Sequence, residues 1–126
     1  MLLRVIDANL NRLKEGVRVV EDIARYMENN KELASKLKAI RHQAIIEEYT
    51  ALVESRDSLN DVLRPTIKSE MNRSNLQDII IANYKRAQES ARVLEELFKI
   101  EKPHYSEVFK TIRYNLYTLE KENLTT

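Results

Sequence analysis

Apolar residues recur along the first 28 positions at alternating steps of four and three. This spacing is typical of an α-helix that buries one narrow stripe, because side chains three or four positions apart share a helix face. A capping box formed by Asn29 and Glu32 starts a second helix, which continues to about residue 54. The stripe of the first predicted helix, over 2–28, consists of Ile6, Leu10, Leu13, Val17, Val20, Ala24 and Met27.

The helical pattern then stops and resumes twice. Pro65 and many turn-forming side chains predict a long, partly ordered connection. Ser74 with Gln77 resembles a second capping box, and Pro103 ends the helix that follows it. The predicted boundaries are 55–73 for the connection, 74–100 for a third helix and 104–122 for a fourth, with a frayed tail.

Polar residues of the first helix recur in the third at an offset of 74 residues. The string A-N-x-x-R-x-x-E-x-x-R-V stands at 8–19 and again at 82–93, and K-x-I-R stands at 38–41 and 110–113. Such repetition indicates a duplicated helical hairpin, and two facing hairpins form a four-helix bundle. We therefore predict one all-α domain over 1–126, with hairpins at 1–54 and 74–126 joined by 55–73.

Composition removes several classes of function. With Gly16 as its single glycine, the chain has neither a Walker A loop nor a G-x-G-x-x-G loop, and strand-rich folds are disfavoured. The absence of cysteine excludes disulfides and thiolate metal sites. A net charge of +1 and the lack of a long apolar run predict a cytoplasmic protein that binds neither nucleic acid nor membrane.

The repeated motif places polar groups among apolar neighbours. On a helical wheel Arg12 falls within a second apolar strip formed by Val5, Val19 and Ile23. An unpaired guanidinium there requires a partner or an anionic ligand, which predicts a polar pocket between the first and third helices with Arg12 and Arg86 as anion clamps. The alternative is a set of solvated ion pairs, with the single glycine allowing a close helix crossing.

Two further positions are weaker candidates. His42, beside an arginine, could contact a phosphate or be an ordinary surface or core histidine. Asp61, with Asp57 and Glu70, could hold Mg²⁺ through carboxylate oxygens, although turn and cap roles explain these residues equally well.

Several long motifs resemble one protein family. They are R-V-I-D-A-N-L-N-R-x-K-E-G-x-R-V-x-E-D-x-A-R at 4–25, K-x-x-R-H at 38–42, R-D at 56–57 and A-N-x-K-R-A-Q-E-x-x-R-V-L-E-E at 82–96. Together they are similar to the small all-helical hydroxymethylpyrimidine-phosphate kinases of thiamin biosynthesis, the second, non-orthologous type, which also occur fused ahead of thiamin-phosphate synthase. The family continues a connection motif as Asp-Val-Gly, whereas Leu63 follows Asp61-Val62 here.

The resemblance implies phosphorylation of a pyrimidine monophosphate to the diphosphate with ATP and Mg²⁺. Because phosphoryl transfer depends on positioning and charge neutralisation, we predict that the arginines and acids of the repeat perform it. The second apolar strip is also compatible with a homodimer. The predicted roles are catalysis by Arg12, Glu15, Arg86 and Glu89, substrate binding by Asn9, Asn83, Arg18, Arg92 and His42, and Mg²⁺ binding by Asp61.

Two other classes of function stay open at this point. One is a non-enzymatic helical module that associates with thiamin enzymes. The other is an all-helical nucleotide pyrophosphohydrolase, in which acids on facing helices form a Mg²⁺ cage. Acids for such a cage stand in pairs at Glu21-Asp22, Glu47-Glu48 and Glu95-Glu96.

Overall fold

The computed structural model describes residues 2–65 and 75–125, and of Glu101 only the backbone. Within these ranges the chain is helical without strands, which confirms the predicted all-α class. No helix in the described ranges is long and apolar enough to cross a bilayer. The α-helices are α1 (Leu2–Asp22), α2 (Lys31–Gln43), α3 (Tyr49–Ser55), α4 (Leu76–Glu101) and α5 (Pro103–Thr125).

Four long helices enclose one apolar core. α1 packs against α4, α2 against α1, α5 against α4, and α2 also contacts α5. The predicted stripe of α1 is buried from Ile6 to Ala24, but Met27 is 63% exposed. The difference has a local cause, since Ile23–Met27 forms a π-helical turn whose extra residue rotates the following side chains off the stripe. The largest fully buried apolar side chains are Tyr84, Phe109, Leu13, Leu37, Leu94, Ile112 and Leu116.

Gly16 lies at a close approach of α1 and α4. A Cβ atom at this position would stand 2.9 Å from the backbone oxygen of Asn83 and 3.4 Å from Cβ of Ala87. The close crossing brings the two copies of the repeated motif together at one level of the bundle. The glycine is therefore explained by helix packing.

We expect Gly16→Ala to destabilise the protein, although alanine is intrinsically the better helix former by about 1 kcal/mol. The new methyl group meets backbone, which cannot move aside as a flexible side chain would, and overpacking of this kind costs about 1–3 kcal/mol. After the gain in helix propensity is subtracted, a net loss of about 1 kcal/mol remains, which corresponds to a fall in Tm of about 4 °C. Thermal unfolding followed by circular dichroism measures it, with Thr111→Ala at an exposed position of α5 as the control. An equal or higher Tm for Gly16→Ala would contradict the close crossing.

The second predicted helix is wrong in its extent. α2 ends at Gln43, and the chain runs without helix to α3 at Tyr49. Residues distant in sequence stabilise this break, because the Glu47 backbone N–H donates to the Tyr105 hydroxyl (3.1 Å) and Glu48 forms an ion pair with Lys102. The interruption thus depends on contacts with the start of α5 and on no glycine or proline.

Three predicted helix ends also require correction. Asn30, rather than Asn29, caps α2 by accepting a hydrogen bond from the Leu33 N–H (3.1 Å), and Asn29 takes a left-handed φ of 51°. Asn75 caps α4 in the same way, while the predicted cap Ser74 lies outside the described residues. α5 begins at Pro103, a favourable first helical position, and continues to Thr125, so the predicted frayed tail is wrong.

The start of the connection is fastened to the first turns of α1. The Arg56 guanidinium donates twice to the buried carboxylate of Asp7, at 2.9 Å each. Arg4 in turn donates to the backbone oxygen of Asp57 (3.0 Å), whose side chain caps the short 3-10 turn Ser58–Asn60. The R-D motif therefore has a structural role, which is to hold the connection against α1.

Candidate functional site

The predicted catalytic residues lie on α1 and α4 near the helix crossing, on the outer surface. Arg12, Glu15, Arg86 and Glu89 are all exposed. The interpretation of the strip around Arg12 as a buried environment is therefore wrong, and the anion-clamp roles of Arg12 and Arg86 stay predictions. Neither arginine forms an ion pair within the described part of the chain, so both remain candidate anion-binding cations.

The error comes from the second apolar strip of α1. Val5 is 44% exposed and Val19 37%, and of the three strip residues Ile23 alone is buried. A wheel shows which residues share a face but not which faces another helix covers. Arg12 therefore carries no burial penalty that a ligand must relieve.

The other predicted phosphate-binding arginines are half exposed and paired on their own helices. Arg18 donates to Asp22 (3.1 Å), and Arg92 lies 3.1 Å from Glu96. Such i,i+4 pairs contribute a few tenths of a kcal/mol, so either guanidinium can turn to a ligand at low cost.

Asn9 and Asn83 are buried, and each side-chain amide bonds to its own helix. Asn9 donates to the Val5 backbone oxygen (2.9 Å) and Asn83 to the Ile79 backbone oxygen (2.8 Å). Recognition of a pyrimidine edge by these amides stays a prediction, and it requires them to leave these bonds.

Asp61 is exposed, and one of its carboxylate oxygens accepts a hydrogen bond from the Leu63 N–H (3.0 Å). The side chain thus closes the turn in which the family glycine would stand. No metal-binding group of three acidic or histidine side chains occurs in the described ranges, and Glu70 lies outside them. The predicted Mg²⁺ role of Asp61 stays a prediction.

Five of the six acids that a pyrophosphohydrolase would need are committed to cations, whereas Glu47 is exposed and forms no ion pair within the described residues. Buried Glu21 and Glu95 each accept bonds from an arginine, described below. Asp22, Glu48 and Glu96 are also in ion pairs, which leaves less uncompensated negative charge to hold Mg²⁺. These pairs join Asp22 to Arg18, Glu48 to Lys102, and Glu96 to Arg92 and Lys99.

Each hairpin contains the same buried ion pair. Arg41 on α2 donates to both carboxylate oxygens of Glu21 on α1, from Nε at 2.7 Å and from Nη2 at 3.2 Å. Arg113 on α5 donates to Glu95 on α4 at 3.0 and 2.9 Å. The two glutamates are 1% and 4% exposed, so the fold keeps both guanidiniums in fixed positions.

Glu21 is ionised in this pair. Burial opposes the charge, but the hydrogen bond from Arg41 and the positive charges of Arg41, Arg18 and Lys38 outweigh burial and hold the pKa of Glu21 below its ordinary 4.5. The carboxylate therefore anchors Arg41 at neutral pH.

Arg41 borders an open groove of about 310 Å³ between α1 and the end of α2. Cations predominate in its lining, and among the charged residues Glu15 is the one carboxylate. A guanidinium held by a buried carboxylate, with other cations nearby, suits a phosphate group. This Arg41 groove is lined by Lys14, Glu15, Arg18, Arg41, His42 and Ile45, so it unites three predicted site residues with three that were not predicted.

The second hairpin differs at the equivalent place. Tyr114 and Tyr117 stand where His42 and Ile45 stand in the first hairpin, and their ring centroids lie 4.9 and 5.8 Å from the Arg113 guanidinium carbon. Two aromatic rings thus accompany Arg113, whereas Arg41 faces a groove. The first hairpin is therefore the better candidate for ligand binding.

Sequence reasoning missed Glu21 and Arg41, although a signal was present. Glu21 stands four residues after Val17 and three before Ala24, so it lies on the apolar stripe itself. An acid on a buried stripe requires a cationic partner, and the repeated K-x-I-R string contains that partner.

Comparisons with known proteins agree with the motifs. The ThiD2 family matches residues 4–122. The chain is 38% identical over 120 residues to a thiamine-phosphate synthase of Synechocystis sp. and 39% identical over 121 residues to one of Prochlorococcus marinus. These matches cover 94% and 93% of this chain but 35% and 34% of those relatives, so the chain spans about a third of their length. No solved structure matches. The chain belongs to the ThiD2 family of thiamin biosynthesis.

Proposed function

We propose that this chain is an ATP-dependent kinase that converts hydroxymethylpyrimidine phosphate to the diphosphate. The observation that supports phosphate chemistry is the Arg41 groove, in which a guanidinium fixed by buried Glu21 stands beside Arg18, Lys14 and His42. Family membership supports the place in thiamin biosynthesis. The named activity of the longer relatives is that of thiamine-phosphate synthase, and this chain covers a third of them.

In the proposed reaction an oxygen of the acceptor phosphate attacks the γ-phosphorus of ATP. A new P–O bond forms, the bond between γ-phosphorus and the bridging oxygen breaks, and ADP leaves. The acceptor is already an ionised phosphate at neutral pH, so no strong general base is required. The protein has to hold two anions together, and Arg41 and Arg18 reduce their repulsion.

Mg²⁺ that enters on the ATP phosphates would meet a carboxylate at the Arg41 groove, where the transferred phosphoryl group has to reach the acceptor phosphate. Mg²⁺ in phosphoryl-transfer sites commonly takes one or two protein carboxylates together with substrate phosphates and waters. Glu15 supplies one such carboxylate beside the groove. When bound, the ion neutralises charge on the transferring group.

The proposal is tested by incubating the purified chain with hydroxymethylpyrimidine phosphate and Mg·ATP. We expect stoichiometric formation of ADP and the pyrimidine diphosphate, followed by ³¹P NMR and mass spectrometry. Matched reactions omit either the acceptor or the protein. Pyrophosphate release from ATP alone would indicate a pyrophosphohydrolase, and the absence of any turnover would favour the non-enzymatic module.

A further inference from the structure

A second groove lies on the same face of the α1–α2 hairpin, near the turn that joins the two helices. It measures about 350 Å³. We call it the Lys38 groove, and the lining residues that matter for its charge are Glu21, Arg25, Lys31 and Lys38.

Positive charge dominates the Lys38 groove. Lys31 and Lys38 have no ion-pair partner in the part of the chain that the structure describes, and Arg25 lies over the ring of Tyr26 at 4.9 Å. Glu21 is the one acid of its lining, and that carboxylate is buried and already neutralised by Arg41. Three cations therefore face this groove without an opposing free carboxylate, which suits a polyanion.

The Glu21–Arg41 pair stands between the two grooves. Glu21 lines the Lys38 groove, while Arg41 lines the Arg41 groove. Two phosphate-bearing ligands bound on either side would therefore approach each other at this pair. Phosphoryl transfer needs such an arrangement, because the reacting atoms must come within about 3–3.5 Å before reaction.

We infer that the Lys38 groove binds the triphosphate of the donor nucleotide, and that the Arg41 groove binds the acceptor phosphate. This inference rests on the proposed kinase function and divides its two substrates between the grooves. The more cationic groove takes the more highly charged ligand, and Tyr26, 64% exposed beside Arg25, offers a ring for stacking a base. Ile45 and His42 offer the acceptor groove apolar and planar contacts for a methylpyrimidine.

The inference is tested with the double variant Lys31→Gln/Lys38→Gln. We expect KM for ATP to rise at least about 10-fold, since glutamine cannot replace the charged contact that each lysine makes to phosphate. KM for the pyrimidine phosphate should change less than about 2-fold, because substitutions at a distant, independent site have effects of this size at most. Lys14→Gln in the Arg41 groove should raise KM for the pyrimidine phosphate and leave KM for ATP nearly unchanged. The matched control is Lys110→Gln/Lys121→Gln, which removes two exposed lysines from α5.

A second measurement does not depend on turnover. Mg·ATP should shield Lys31 and Lys38 from acetylation, read by mass spectrometry, while Lys110 and Lys121 stay reactive. Shielding without turnover would support the nucleotide groove although the kinase proposal had failed. An unchanged KM for ATP in an active Lys31→Gln/Lys38→Gln enzyme, or the absence of shielding, would overturn the inference.

Discussion

Replacing Glu21 by glutamine is expected to lower the free energy of unfolding by about 3 kcal/mol and kcat/KM by about 100-fold. The stability loss follows because Arg41 would keep its charge in a mostly buried position without an ionised partner. The activity loss follows because Arg41 would no longer be held at the groove. Urea unfolding and steady-state kinetics with both substrates measure the two effects.

The ion pair between α4 and α5 provides a matched control for this experiment. Glu95→Gln removes the equivalent carboxylate from Arg113, so we expect a similar loss of stability, about 3 kcal/mol. Glu95 lies away from both grooves, so kcat/KM should stay close to that of the parent protein at a temperature where each variant is folded. Equal losses of activity in Glu21→Gln and Glu95→Gln would mean that Glu21 acts through stability alone.

The same pair predicts how stability depends on pH. The pKa of Glu21 is lowered on folding from its ordinary 4.5, so between the folded and ordinary values the unfolded chain binds more protons. The stabilisation that the ionised Glu21 provides is therefore complete above about pH 4.5. It is lost as the pH falls through the lower pKa that Glu21 has in the folded protein. The stability difference between the parent and Glu21→Gln should shrink over that acidic range.

The apolar stripe was enough to predict the all-α class and the core of α1. It could not predict where α2 ends, because Ile45 and Ile46 continue the apolar character through the break and the contacts that fix it come from Tyr105 and Lys102. Local pattern carries no information about partners that lie about 55 residues away along the chain.

The candidate site likewise depends on contacts that a local sequence pattern does not predict. The repeated motif favours Arg12 as the anion-binding residue, since an apolar strip on a helical wheel predicts a covered face. The residue that the fold holds in place is Arg41, and the structure identifies it through a buried carboxylate 20 residues earlier. The distinction between a solvated and an anchored arginine depends on packing between helices, which the sequence of one helix does not contain.

Substitution of the arginines decides between these two versions of the site. We expect Arg41→Ala to lower kcat/KM by about 100- to 1000-fold, as for other preorganised donors to a reacting anion. Arg12→Ala and Arg86→Ala should each lower it by about 10-fold at most, because an unanchored surface cation loses much of its interaction energy to solvent and side-chain entropy.

Arg41→Lys separates charge from geometry. Lysine keeps the positive charge beside Glu21 but cannot donate through a planar fork, so we expect stability close to that of the parent and kcat/KM still about 10-fold or more lower. A lower kcat/KM for Arg41→Lys without a change in Tm would show that activity depends on the orientation of the guanidinium, which Glu21 sets.

The opposite outcome is a larger loss of kcat/KM in Arg12→Ala or Arg86→Ala than in Arg41→Ala. That result would place the reacting phosphates at the α1–α4 crossing, because no other described feature joins those two arginines.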